Sequence, residues 1–142
     1  MKKAILLALG LLIGVVLFAQ EPIIIKAEVF AYSILNTETM IRSEFSQWEK
    51  CDLIIKIDLK NDLVTINNEA KTKIKIIAPN ADKVDYIDQS CNEKYSKYSY
   101  DGISSEGQTS DIDVNLYEDG TIQVYFDIGN TVFAYQGKVI EF

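Results

Sequence analysis

The sequence predicts a mainly β protein: a single antiparallel β-barrel or β-sandwich, a meander of seven to nine short strands, preceded by an N-terminal signal peptide. Three observations carry this. Apolar and polar residues alternate with period two through most of the chain after residue 20, the mark of strands with one buried face. The alternating segments are divided by short clusters of Asn, Asp and Gly, and connections that short force antiparallel neighbours. The first twenty residues have a different composition from everything that follows.

That leader has the layout of a secretory signal. Lys2 and Lys3 form a basic start, Ala4 to Phe18 is apolar, and Ala19 is a small residue suited to the position before a cut,. The alternative is an uncleaved anchor, for which the apolar run falls short of the roughly 20 residues a spanning helix needs. The expected division is residues 1–19 as signal peptide and 20–142 as one β domain. Cleavage removes Lys2 and Lys3 and takes the net charge from −7 to −9. The mature chain of about 120 residues can bury a modest core. The expected location is periplasmic or extracellular, with no transmembrane domain after cleavage. Nucleic acid is a poor partner for so acidic a chain, because phosphate contacts need Lys and Arg.

The elements follow in order. Ile23 to Ile34 reads as one long strand. Residues 37–50 fit either a strand or a turn of helix: Met40, Ile41, Phe45 and Trp48 fall near helical spacing, while Ser43, Phe45 and Gln47 alternate. Leu53, Ile55, Ile57 and Leu59 alternate with Asp52, Lys56 and Asp58, and Lys60-Asn61-Asp62 turns the chain into Val64 and Ile66,. Ile74 and Ile76 alternate with Lys73 and Lys75, and Pro79 is expected to end that strand because it cannot donate to a ladder,. Val84 to Ile87 and Lys94 to Tyr100 read as two short strands around a loop. Ile112, Val114 and Leu116, then Ile122, Val124 and Phe126, then Val132 and Ala134 form a meander, turned at Glu118-Asp119-Gly120 and Gly129-Asn130. Leu53, Ile55, Ile57, Val64, Ile66, Ile74, Ile76, Ile112, Val114, Leu116, Ile122, Val124 and Phe126 belong to the core, and Lys75, Asp111, Asp113, Asn115 and Gln123 belong in water,. This pattern is similar in architecture to lipocalin-like barrels, but Ser46-Gln47 precede Trp48 where that family carries Gly-x-Trp. The resemblance implies an architecture and no function.

The chemical vocabulary is sparse. With no histidine, the chain lacks the usual general base and the commonest metal ligand. Cys51 and Cys91 suggest one disulfide in an exported chain, not a zinc site, which wants four ligands. Asp111, Asp113 and Asn115 alternate as calcium ligands do, but Leu116 and Ile122 stand where an EF-hand needs Gly and Glu,. No nucleophile elbow or phosphate loop is present. No catalytic residue, metal site or cofactor is therefore assigned. Tyr95, Tyr98 and Tyr100 stand out in a Tyr-Ser-Lys segment: Tyr98 and Tyr100 share one strand face, and with Trp48 they would make an aromatic platform,. The plain alternative is a strand whose Tyr rings cover the sheet. The reading is an exported, non-enzymatic β protein that binds a small molecule, glycan or protein partner, with a neutral or cationic ligand favoured by the charge. The alternative is a hydrolase or inhibitor that acts on envelope polymers with carboxylates alone.

Overall fold

The computed structural model describes residues 22–90 and 92–141. The expected signal peptide, 1–19, lies outside the described residues. The described chain is mainly β, with nine strands: β1 (Ile23–Asn36), β2 (Ile41–Arg42), β3 (Glu49–Asp58), β4 (Leu63–Ile66), β5 (Lys73–Asp88), β6 (Glu93–Ser104), β7 (Thr109–Tyr117), β8 (Thr121–Ile128) and β9 (Thr131–Glu141). All pair antiparallel in the order β2-β1-β3-β4-β5-β6-β7-β8-β9. β9 also pairs with β1, the second strand in that order. From Ile24 to Phe30, β1 is bonded to β3 on one side and to β9 on the other.

The tight turns explain why neighbours in sequence are neighbours in space. Asn61 is bound to the Asp58 carboxylate through its side-chain amide at 2.9 Å. Thr121 N–H donates to Asp119 Oδ1 at 2.8 Å, while Gly120 takes φ +88°, a conformation that favours glycine,. Residues 37–50 contain no helix: a turn leads into β2, and residues 43–48 run extended beside β1. There Ser43 N–H donates to the Ile34 carbonyl and Ser46 N–H to the Tyr32 carbonyl, both at 2.8 Å.

The inner, core-facing set follows the alternation. Ile55, Ile57, Val64, Ile66, Ile74, Ile76, Ile112, Val114, Leu116, Ile122, Val124 and Phe126 are all buried, with Leu53 half-buried against them. In β1 the parity changes midway. Ile23, Ile25 and Ala27 face the core, a register shift falls between Ala27 and Val29, and then Phe30 joins the core cluster. One extra residue moves every later side chain to the other face, so Ala31 and Ser33 are buried on the outer face.

Three expectations need correction. Pro79 does not end a strand: β5 runs through it to Asp88, with register shifts at 76/78, 79/81 and 81/84. Bulges let a sheet pass a residue that cannot donate. Val84 to Ile87 and Lys94 to Tyr100 are accordingly the far halves of two long paired strands, not short strands around a loop. Asn115 is buried, 9 % exposed, because its cross-strand neighbours Lys97 and Gln123 and the Tyr125 ring cover the outer face around it. The expected Cys51–Cys91 disulfide involves Cys91, which lies outside the described residues; Cys51 is a half-buried thiol with its Sγ 3.5 Å from the Ala27 carbonyl. Burial, and then the Asp52 carboxylate, push that thiol above its ordinary pKa.

Candidate functional site

The outer face of β5 to β9 holds the densest polar and aromatic chemistry among the described residues, and strand register sets its layout. It reads as four rows across the strands. Tyr86, Tyr95 and Tyr117 form the first, on β5, β6 and β7. Lys97, Asn115, Gln123 and Gln136 form the second. Ser99, Asp113, Tyr125, Ala134 and Ala31 form the third. Asp101, Asp111, Asp127, Val132 and Ser33 form the fourth.

The first row is an aromatic stack. Tyr86 and Tyr95 lie with centroids 5.4 Å apart at 21°, and Tyr95 and Tyr117 at 5.0 Å and 30°. Much of each ring face is therefore spent on its neighbour; Tyr86 is exposed, Tyr95 half-buried and Tyr117 buried. Tyr117 Oη donates to Asp88 Oδ2 at 3.0 Å and lies 3.1 Å from Gln123 Oε1. Tyr125 Oη donates to the same Gln123 oxygen at 2.9 Å, and Gln123 Nε2 donates to Gln136 Oε1 at 2.9 Å. Burial raises the Tyr117 phenol well above its ordinary pKa, with the Asp88 hydrogen bond second. Phe45 extends the aromatic line from the 43–48 segment, meeting Tyr125 edge-on at 6.2 Å. The small Ala134 and Ala31 beside Tyr125 in its row leave room for that approach.

The third and fourth rows surround an open recess of about 290 Å³, lined by Lys97, Asp111, Asp113, Asn115, Tyr125, Asp127 and Val132. Asp113 is already engaged, accepting from Ser99 Oγ and lying 3.4 Å from Lys97 Nζ. Asp101, Asp111 and Asp127 stand directly opposite one another on three adjacent strands, an arrangement that like charges disfavour. Partial burial first, then the Asp101, Asp127 and Asp113 carboxylates, hold Asp111 above the usual carboxylate pKa. The Asn115 carbonyl oxygen Oδ1 is buried here with no hydrogen-bond partner.

The expected aromatic platform is divided. Tyr98 pairs with Val114 and Tyr100 with Ile112, so both rings turn inward and pack on the core. Burial pushes both phenols above their ordinary pKa. Tyr95 lies on the outer face, and Trp48, 46 % exposed, sits in the extended segment after Phe45. Tyr98 and Tyr100 do share a face; register with β7 makes it the inner one. The carboxylate row is not legible in the sequence because Asp101, Asp111 and Asp127 lie far apart along the chain and meet only through strand register.

Among the described residues no set of acidic or cysteine side chains is arranged to hold a metal ion, and no helix is long and apolar enough to cross a membrane. No family model matches the chain, and neither the curated proteins nor the solved structures hold a significant match to it.

Proposed function

We propose that this is an exported, non-enzymatic binding protein, a small closed β-barrel with a packed interior whose outer face on β5 to β9 receives a partner. The observation that carries the reading is the aromatic line outside the core, from Tyr86 through Tyr95 and Tyr117 to Tyr125 and Phe45. Core packing does not require aromatics on that side. Tyr and Phe beside satisfied polar groups are the composition of recognition surfaces. The barrel reading rests on the β1–β9 pairing. A carrier with a ligand inside the barrel has less support, because Phe126, Ile25, Ile55, Ile74, Ile112 and Ile122 fill that space. The carboxylate hydrolase also has less support: Asp101, Asp111 and Asp127 stand side by side on one face, whereas glycosidic chemistry wants carboxyls on either side of the scissile bond.

The test is a fragment screen by amide NMR on the mature chain, with monosaccharides, aromatic fragments and capped amino acids. Hits are expected to move the amides of Tyr95, Tyr117, Gln123 and Tyr125, and the double variant Tyr86→Ala, Tyr95→Ala should lose them while staying folded. Hits confined to β3 and β4, or none at all, would overturn the assignment of this face.

A further inference from the structure

We infer that Tyr86 and Tyr95 form an oxidative coupling site, where a one-electron oxidant joins the two rings carbon to carbon into an intramolecular dityrosine that ties β5 to β6. The inference stands apart from the binding reading, because it needs no partner on this face. Three observations carry it. The first is contact. Among the described residues, tyrosine rings meet one another at two places, and both involve Tyr95. Tyr86 and Tyr95 are directly opposed in the ladder, with centroids 5.4 Å apart at 21°, and directly opposed side chains are the closest neighbours that two antiparallel strands offer. The second is access. Tyr86 is 44 % exposed and Tyr95 half-buried, so an oxidant reaches the pair from solvent. Tyr117, on the other side of Tyr95, is buried and its Oη is committed to Asp88, while Tyr98 and Tyr100 turn inward onto the core. The third is the strand itself. From Ile77 onward β5 has β6 as its one partner strand among the described residues, and that ladder is broken by three register shifts. Bulges leave residues out of a ladder, so a covalent tie at Tyr86 fastens β5 beyond its most interrupted stretch.

The chemistry balances within the pair and its oxidant. Each phenol gives up one electron and its hydroxyl proton and becomes a phenoxyl radical, whose unpaired electron is shared with the ring carbons beside the oxygen. One such carbon of Tyr86 bonds to one of Tyr95. Each ring then passes the hydrogen of its coupled carbon back to its oxygen and is a phenol again. Two ring C–H bonds are lost and one C–C bond is made, with two electrons and two protons released. Hydrogen peroxide, acting through a haem peroxidase, takes up both and leaves two molecules of water. The gap between the rings closes by rotation about the Tyr86 side-chain torsions, for which its solvent side leaves room.

The experiment treats the mature chain, native and in urea, with hydrogen peroxide and a haem peroxidase. Products are read by intact mass and, after thiol alkylation and trypsin cleavage, by peptide mapping. Cleavage after lysine leaves Tyr86 in peptide 84–94, Tyr95 in 95–97, and Tyr98, Tyr100, Tyr117, Tyr125 and Tyr135 together in 98–138. The expected product is a monomer lighter by two hydrogens, with 84–94 joined to 95–97. Its melting temperature should rise, because the tie restricts the unfolded chain as a disulfide does. Tyr86→Phe and Tyr95→Phe keep the rings, and each is expected to slow coupling within the monomer at least tenfold. Tyr32→Phe removes an exposed tyrosine away from the pair and should leave the rate unchanged. Joining of 95–97 to 98–138, coupling only between molecules, an equal yield in urea, or wild-type rates in both variants of the pair would overturn the inference.

Discussion

Gly137 sits where β9 meets both Ala27 of β1 and Ile122 of β8. A Cβ added there would lie 2.7 Å from the Lys26 carbonyl carbon and 2.9 Å from Ala27 Cα, and nearer still to the Lys26 oxygen. Carbon atoms in contact prefer roughly 3.5–4.0 Å, so β1 and β9 would have to part by close to an ångström. The obstructing atoms are backbone and cannot rotate aside, and the strain falls on the β1–β9 pairing. Overpacking of a core side chain costs about 1–3 kcal/mol. A backbone clash belongs at or above the top of that range, against a total stability of about 5–15 kcal/mol for a domain. Gly107→Ala is the control. Its Cβ would meet nothing within 4 Å, but its φ of +82° is poor for a side chain, a cost of about 1–2 kcal/mol. Urea unfolding of the mature chain, followed by far-ultraviolet circular dichroism, is expected to rank Gly137→Ala as the more damaging by a clear margin. A Gly137→Ala protein as stable as the wild type, or more stable than Gly107→Ala, would refute the β1–β9 register and with it the proposed barrel.

Other substitutions probe the remaining parts. Phe126→Ala removes a fully buried ring that meets Tyr135 edge-on and should cost about 3–5 kcal/mol in the same unfolding assay, whereas Ile34→Ala, 48 % exposed, should stay within about 0.5 kcal/mol. Tyr117→Phe removes a donor to the Asp88 carboxylate and should cost about 1.5–3 kcal/mol, with the near-ultraviolet tyrosine signal weakened. Asp111→Asn should stabilise the protein by up to about 1 kcal/mol at neutral pH by relieving the cross-strand repulsion. Its folded pKa is raised, so the carboxylate destabilises the fold when charged. The gain from the variant should therefore be present above that raised pKa and fade as pH falls through the carboxylate range,. Thermal melts at several pH values check this. The mature protein from its native host should begin near Gln20 by intact mass, and retention of residues 1–19 would support an anchor.

Much of the architecture follows from local sequence alone. Alternation at Ile55/Ile57, Ile112/Val114/Leu116 and Ile122/Val124/Phe126 determined which residues are buried, because a strand has period two and a slip by one would place carboxylates in the core,. Short turns at Asn61 and Gly120 determined that the strands are antiparallel neighbours,. The tertiary structure decided whatever depends on register between strands distant in the chain. Tyr98 and Tyr100 were bound to share a face, but only their pairing with Val114 and Ile112 turned that face inward. Pro79 looked like an end, and bulges carried β5 past it. The extra residue near Glu28 reversed the parity of β1, so Ala31 and Ser33 are buried on the outside. Asn115 sits on the outer face its parity requires, and is buried because Lys97, Gln123 and Tyr125 come from other strands to surround it. Asp101, Asp111 and Asp127 form one row only because three strands align them. Pattern within a strand is a local property of the backbone, whereas a site assembled across strands depends on pairings between residues far apart in sequence.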